Sequence, residues 1–220
     1  MSSWKYNKCV NTPQTKKDKV YQQIRKAIVT GELRAGEIMK EGELAQRFGT
    51  GKTPTREALI VLSYERFLEP MPRVGYIVAR PSIQEALETF HLRMLLEVEA
   101  IGLAVERISE EETRQLEQNN QRENELHSRY AGSELKLKAY ELNRDFHMII
   151  ARASGNSRLA QAVRLLIDDM ERTLAEDPYL ADPAQHKQML ECLRRRDKDG
   201  AQEAMRQHLE ETRNRIVNRF

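Results

Sequence analysis

Two short amphipathic segments separated by a glycine turn constrain the fold of this chain more than any other feature. In the first, EGELAQRFG at residues 41–49, Leu44, Ala45 and Phe48 fall on one helical face and Gly49 ends the pattern. Apolar residues at this spacing predict an amphipathic helix, and glycine is a common stop directly after one. The segment therefore predicts a helix of about two turns.

The second segment follows the glycine turn. Thr53 and Pro54 predict a helix start, with threonine as the N-cap and proline at the first helical position. Ala58, Leu59 and Leu62 follow as the buried stripe. Two helices joined in this way predict a helix-turn-helix, whose second helix enters the major groove of DNA.

The polar residues at the start of this second helix are the candidate readers of DNA, because that end of the helix reaches the base edges. They are Lys52, Thr53, Thr55 and Arg56. Arg56 lies away from the apolar stripe and can offer its guanidinium to guanine or to phosphate. The alternative is a surface salt bridge with Glu57 or Glu43.

An earlier helix and a later hairpin flank this pair. The helix is predicted from apolar residues at every fourth position followed by a glycine: Val20, Ile24, Ile28 and Gly31. The hairpin is predicted from EPMPRVGYIVA at residues 69–79, with Arg73 at its tip. A wing of this kind approaches DNA closely, and Gly75 permits a close backbone approach.

From residue 81 onward the apolar residues recur at helical spacing and no segment alternates as a strand does. Ser82 with Glu85 and Ser109 with Glu112 predict capping boxes. The breaks at Asp177-Pro178 and Asp182-Pro183 separate later helices. The predicted fold is mainly α: a flexible tail (1–15), a winged helix-turn-helix with a small β wing (16–80), and an all-α antiparallel bundle of six helices (81–220).

Charge is distributed unevenly between the two predicted domains. Residues 1–80 contain 15 Lys and Arg against 8 Asp and Glu, whereas residues 81–220 contain 21 against 26. A basic N-terminal domain suits a phosphate backbone, although a solvated basic tail would give the same excess. Cys9 and Cys192 are predicted to be free thiols, and the absence of a long apolar run predicts a cytoplasmic protein with no membrane span.

Three histidines of the second domain are predicted to point inward from separate helices. His147 follows Asn143 by four residues, and His186 and His208 lie beside apolar residues of later helices. Converging imidazoles with a neighbouring oxygen ligand suit zinc or a similar divalent ion such as nickel or manganese. The alternative for each histidine alone is a hydrogen-bonded core residue.

The N-terminal domain resembles the winged helix-turn-helix of the GntR family of bacterial regulators. The resemblance covers residues 24–78 and is carried by GELRAGE, ELAQRFG, TPTREAL and the wing glycine. It implies that Lys52, Thr53, Arg56 and Gly75 contact DNA. The family commonly has Ser-Arg before Thr-Pro, where this chain has Gly51-Lys52. Lysine keeps a phosphate contact but loses bidentate base reading.

The second domain is similar to the FCD effector domain of FadR-like GntR regulators, through LRMLLEVEA, NRDFHMIIARASGN, DPAQHKQML and RRRDKDGAQEAMRQHL. The resemblance implies that the metal ligands are Asn143, His147, His186 and His208. Asn143 stands where aspartate is more common. The resemblance also implies a small carboxylic acid effector, which Arg93, in the family's Arg-x-x-x-Glu pattern with Glu97, would anchor. The alternative for Arg93 is a surface or interhelical salt bridge.

These observations predict a homodimeric transcriptional repressor that binds a palindromic DNA operator and responds to the effector. Two alternatives stay open at this stage. A metal held by three histidines can also activate water, which would make the chain a metal-dependent helical enzyme. A helical scaffold without metal would use all its histidines in the core.

Overall fold

The structure, a computed structural model, describes residues 15–80, 82–174 and 182–218. The described part is mostly helical, with one small sheet near the N-terminal end. Of the predicted tail (1–15), the structure describes Thr15 alone. The predicted break at Asp177-Pro178 lies outside the described residues. Within the described ranges, none of the helices combines the length and the apolar character that a membrane crossing requires.

The N-terminal part contains three helices and three strands. Their bounds are α1 (Lys16–Val29), β1 (Ile38–Met39), α2 (Glu41–Arg47), α3 (Lys52–Tyr64), β2 (Leu68–Met71) and β3 (Gly75–Val78). The apolar stripes predicted for the three helices form one core, in which Ile24, Leu59 and Leu62 are fully buried. The predicted helix-turn-helix corresponds to α2 and α3.

The start of α3 differs from the prediction. The helix begins at Lys52 with Gly51 as N-cap, two residues earlier than the start with a Thr53 cap that the sequence suggested. Pro54 is tolerated because it still lies in the first turn, where a backbone N–H has no partner within the helix.

The wing is a three-stranded antiparallel sheet in the order β1-β3-β2. The hairpin of β2 and β3 was predicted, but β1 was not, because two residues are too few to show an alternating pattern. Ile38 pairs with Ile77 and Met39 pairs with Tyr76. The third strand therefore anchors the wing to the chain just before α2.

The C-terminal part consists of helices packed around a second core. Their bounds are α4 (Ile83–Arg107), α5 (Glu110–Asn124), α6 (Leu126–Arg129), α7 (Gly132–Ala153), α8 (Ser157–Leu174), α9 (Pro183–Arg194) and α10 (Lys198–Val217). The predicted fold class of this domain, an antiparallel helical bundle, is confirmed. The described part has one helix more than the six predicted, because the polar stretch after Ser109 divides into α5 and the single turn α6.

The two predicted capping boxes of this domain have different outcomes. Ser109 and Glu112 form the reciprocal bonds of a capping box at the start of α5. Ser82 is the N-cap residue of α4, but its side chain makes no capping hydrogen bond. The prediction was wrong there, since the spacing of Ser82 and Glu85 permits the bonds without enforcing them.

Candidate DNA interface and metal centre

The exposed N-terminal turn of α3 carries most of the candidate DNA-contacting residues. Lys52, Thr53 and Arg56 are all exposed. Arg56 Nε donates to Glu41 Oε2 of α2 at 2.9 Å, so its salt-bridge partner is neither of the two glutamates suggested by the sequence. Because the Arg56 side chain is 65% exposed, solvent screens this ion pair and the guanidinium stays within reach of a ligand.

Thr55 requires a correction, because it is buried rather than exposed. Its side chain has 0% exposure and its hydroxyl donates to the backbone oxygen of Gly51 at 2.9 Å. A threonine hydroxyl that bonds the carbonyl four residues earlier is satisfied within its own helix. Thr55 is thus a core residue of the helix-turn-helix. It lies three and four residues before the buried Ala58 and Leu59 and shares their face of α3.

The wing places Arg73 at its exposed tip, where the residue adopts a left-handed conformation with φ +66°. Gly75 has φ +149° and lies against β1. A Cβ added at Gly75 would lie 2.2 Å from the backbone oxygen of Met39. The structural requirement for glycine therefore comes from the packing of β3 on β1, a reason that the sequence alone did not indicate.

In the second domain, three buried histidines lie next to one another. They come from α7, α9 and α10 and are His147, His186 and His208. The three ring centroids lie 5.0–5.5 Å apart. One ring nitrogen of each histidine lies within 4.8 Å of those of the other two. The inward orientation predicted for all three rings is thus confirmed, and their geometry is compatible with a shared metal ion.

Each histidine has an oxygen of a different side chain next to its Nδ1 atom. His186 Nδ1 lies 2.8 and 2.9 Å from the two carboxylate oxygens of Glu123 on α5. His208 Nδ1 lies 2.8 Å from Oε1 of Gln185 on α9. His147 Nδ1 lies 2.5 Å from Glu97 Oε2 on α4, in close contact but without the alignment of a linear hydrogen bond.

The Nε2 atoms of His147 and His186 are buried and have no hydrogen-bond partner. A buried polar atom without a partner costs about 1–3 kcal/mol, so it marks a place where a ligand is expected. Asn143, the fourth predicted ligand, is half-buried and lies one helical turn before His147 on α7. Its side chain therefore shares the His147 face of that helix.

Arg93 and Glu97 form a buried ion pair beside the histidines. Arg93 Nε donates to Glu97 Oε1 at 2.5 Å, and the two side chains are 3% and 2% exposed. Burial alone would raise the pKa of Glu97, but the charges of Arg93 and His147 outweigh it and lower the pKa to about 2. The carboxylate is therefore ionised at neutral pH, and Arg93 Nη2 is buried without a hydrogen-bond partner.

Burial also governs the ionisation of two histidines. It lowers the pKa of His147, against the opposing effect of Glu97. It lowers the pKa of His208 well below the usual value, and the neighbouring His186 and His147 lower it further. Both rings are therefore neutral near pH 7, the form in which imidazole binds metals.

Sequence reasoning did not identify Glu123 and Gln185 as part of this site. Glu123 lies seven residues after the buried Leu116, so it continues the apolar face of α5. A glutamate in a buried helical position is rare without a partner, and this position was the signal that could have revealed it. Gln185 precedes His186 directly and offered no comparable signal, because neighbouring residues on a helix point in different directions.

A row of polar residues connects this site with the helix-turn-helix part. The row lies on one face of α4 at intervals of four and comprises Glu85, Thr89, Arg93 and Glu97. At its start Glu85 accepts from Arg66 Nη1 at 3.3 Å. One turn later Thr89 Oγ1 donates to Asp169 Oδ2 of α8 at 3.1 Å.

A winged helix-turn-helix joined to a helical domain with a buried polar site defines a class of DNA-binding transcription regulators. Comparison with known families gives two matches. Residues 16–78 match the bacterial regulatory proteins of the gntR family, and residues 88–211 match the FCD domain. The chain belongs to the GntR family of transcriptional regulators and carries an FCD domain at its C-terminal side.

Named relatives agree with this assignment. The chain is 30% identical over 199 residues to the HTH-type transcriptional repressor GlaR of Escherichia coli K12, covering 86% of this chain and 90% of that protein. It is 26% identical over 213 residues to the repressor RspR of the same strain, covering 92% and 89%. The fold resembles E. coli McbR/YncC with a TM-score of 0.75 and 20% identity, over 93% and 98% of the two chains. GlaR and RspR are both named as HTH-type transcriptional repressors.

Proposed function

We propose that this chain is a dimeric, cytoplasmic repressor whose affinity for a palindromic operator is changed by a small carboxylate that binds beside a metal ion in the helical domain. The observation that carries the proposal is the cluster of His147, His186 and His208, two of which have a buried Nε2 atom without a partner. Three imidazoles, with the amide of Asn143 one turn before His147 on the same helix, form a donor set that suits zinc, with nickel and manganese as alternatives.

The charges around the histidines support a cation. Among the described residues, the buried acidic and basic side chains are Glu97, Glu123 and Arg93. Apart from the histidines, these three groups carry one excess negative charge, which a divalent ion would convert to one excess positive charge. His147, His186, His208 and Asn143 would hold the ion, which would supply a Lewis-acidic position for an anionic oxygen.

Arg93 supports the choice of a carboxylate as effector. Its Nε atom is occupied by Glu97, whereas Nη2 is buried and has no hydrogen-bond partner. A guanidinium in this state gains a charge-assisted hydrogen bond when a carboxylate arrives. One excess positive charge after metal binding favours a monoanion over a neutral molecule.

The exposed residues of α3 and the wing support operator binding. Lys52, Thr53 and Arg56 lie on the turn of α3 that reaches base edges in a helix-turn-helix, and Arg73 lies at the tip of the wing. Gly75 contributes through the β1 contact that holds the tip in place. An arginine pointing to guanine contributes about 1–3 kcal/mol of discrimination against other bases.

Exposed leucines support the dimer, which would set the spacing between two recognition helices. Leu92 and Leu95 on α4 are 46% and 58% exposed, and Leu165 on the adjacent helix α8 is 55% exposed. Large apolar side chains exposed on two packed helices are typical of surfaces that bind protein. A second copy of the chain would bury them and place two α3 helices about one turn of DNA apart, roughly 34 Å.

The polar row on α4 supports coupling between the two sites. An effector that changes the Arg93–Glu97 pair acts on the same helix face whose first member, Glu85, contacts the DNA-binding part. A coupling of about 1–3 kcal/mol would change operator affinity by roughly 5–150-fold.

The test combines metal analysis with ligand and operator binding by the full chain. An operator is first selected from random DNA with the purified protein. Elemental analysis, thermal shifts with a panel of small carboxylates, and operator affinity are then measured with and without a chelator. We expect about one metal ion per chain and a carboxylate that shifts both stability and operator affinity only when metal is present.

A variant that tests the anchor is Arg93→Met, which keeps an unbranched side chain but removes the guanidinium. It should bind metal and operator yet lose the response to the carboxylate. A wild-type chain that retains no metal after zinc loading and dialysis would contradict the metal, and histidines acting only as core residues would then explain the cluster. Retained metal without any carboxylate response would contradict the effector class.

A further inference from the structure

We infer that Glu97, Glu123 and Gln185 are positioning residues that hold a proton on Nδ1 of the three buried histidines, so that all three present an unprotonated Nε2 atom to one another. The tautomers follow from contacts within the chain. The consequence for metal ligation rests on the function proposed above.

The pair of Glu123 and His186 carries this inference most directly. His186 Nδ1 lies 2.8 and 2.9 Å from the two carboxylate oxygens, which places its N–H between two acceptors. The side chains of His186 and Glu123 are 0% and 3% exposed, so water does not compete for the proton. Phe146 stacks on the His186 ring at 3.9 Å between centroids and 3° between planes, which restrains rotation of the ring.

At His208, Glu211 fixes the orientation of the Gln185 amide. Gln185 Nε2 donates to the carboxylate of Glu211, and because a carboxylate only accepts, the amide nitrogen and not the amide oxygen must face it. The Gln185 Oε1 atom is thereby directed toward His208 Nδ1 at 2.8 Å. Since this oxygen can only accept, the proton must be on Nδ1 and the Nε2 atom of His208 is bare.

The third pair involves an ionised carboxylate. Arg93 holds Glu97 through Oε1, and the remaining Oε2 lies 2.5 Å from His147 Nδ1. Two lone pairs repel strongly at this distance, so a proton must lie between the atoms. With that proton on Nδ1, the Nε2 atom of His147, which is buried and has no hydrogen-bond partner, is left bare.

One ring nitrogen of each histidine lies within 4.8 Å of those of the other two. With the proton held on Nδ1, the bare nitrogen that each ring brings to this cluster is Nε2. Among the described residues, the Nε2 atoms of His147 and His186 have no donor nearby. Such an arrangement is unfavourable in a dry interior unless a cation lies between the lone pairs. Carboxylate acceptors on the opposite nitrogen also orient the ring and increase its basicity as a ligand. The acceptors therefore prepare the site for a metal through the ε nitrogens.

The direct test is long-range ¹H–¹⁵N NMR of the metal-free wild-type protein with ¹⁵N-labelled histidine at neutral pH. Single histidine variants assign the signals. We expect a proton on Nδ1 and none on Nε2 for all three buried histidines. An Nε2–H tautomer, or a ring protonated on both nitrogens, at any of the three would overturn the inference. This result is independent of metal binding, so failure of the proposed function remains distinguishable.

A pair of variants tests the positioning role. Glu123→Gln can still accept a bond from His186, whereas Glu123→Leu cannot. In competition with a chelator, we expect the glutamine variant to stay within about threefold of wild-type zinc affinity and the leucine variant to lose roughly 10–100-fold. The matched control is Glu117→Leu on the same helix, because Glu117 pairs with Arg194 and not with a histidine. Equal zinc affinities for all these proteins would contradict the role of Glu123.

Discussion

Replacing His186 with alanine separates the structural contribution of a buried histidine from its contribution as a metal ligand. His186 is completely buried, stacks on Phe146 and contacts both oxygens of Glu123. The variant His186→Ala removes the stacking, leaves a cavity and takes away the N–H next to a buried carboxylate. Without metal, these losses should destabilise the protein by about 3–5 kcal/mol.

Zinc should increase the difference in stability between the wild type and His186→Ala. At a free zinc concentration of 100 times its dissociation constant, binding stabilises the wild type by about 2.7 kcal/mol. For a chain of this length, each kcal/mol raises Tm by roughly 2–4 °C, so wild-type Tm should rise by about 5–11 °C. The variant retains two histidines of the cluster and should show a rise of less than about 2 °C at the same zinc concentration.

Thermal unfolding followed by circular dichroism gives the loss of stability of the variant in chelator and the rise in Tm of each protein in buffered zinc. The control variant is His127→Ala, because His127 is exposed on α6 and does not belong to the cluster. It should show the full wild-type response to zinc. A zinc-induced rise in His186→Ala equal to that of wild type would refute the assignment of His186 as a ligand.

Four further outcomes follow from the structure. Burial lowers the pKa of His208, so the metal-free folded state binds fewer protons than the unfolded chain below pH 6.5. The free energy of unfolding, measured with urea, should therefore decrease when the pH is lowered from 7.5 to 5.5, and equal values at the two pH values would contradict this. Gly75→Ala should lower the free energy of unfolding by about 1–3 kcal/mol and weaken operator binding, because the added Cβ meets the backbone of β1. The control is Gly42→Ala, where nothing lies within 4 Å of the added Cβ, and the same unfolding assay should show no measurable change. Arg56→Ala should weaken binding to the selected operator by about 1–3 kcal/mol with unchanged Tm, and an unchanged affinity would remove Arg56 from the interface. Thr89→Val, which removes the bond to α8, should reduce the effect of the carboxylate on operator affinity by about 0.5–2 kcal/mol while each ligand still binds alone; full coupling would exclude this contact.

The sequence was sufficient to predict the order of the elements apart from the two-residue strand β1 and the single turn α6. The period of apolar residues in the first three helices, such as Ile24 and Leu59, corresponds to residues that the structure buries. Periodicity of this kind is local, and it determines which face of a helix is buried whatever that face meets. The inward orientation of His147, His186 and His208 could be predicted for the same reason.

Only the tertiary structure decided what those faces meet. The acceptors Glu97 and Glu123 come from helices distant in the chain from the histidines they contact, so no spacing within the sequence relates them. The requirement for glycine at Gly75 likewise arises from β1, a strand of two residues that has no pattern of its own. Contacts between elements depend on how their faces pack, and side-chain periodicity carries no information about the partner.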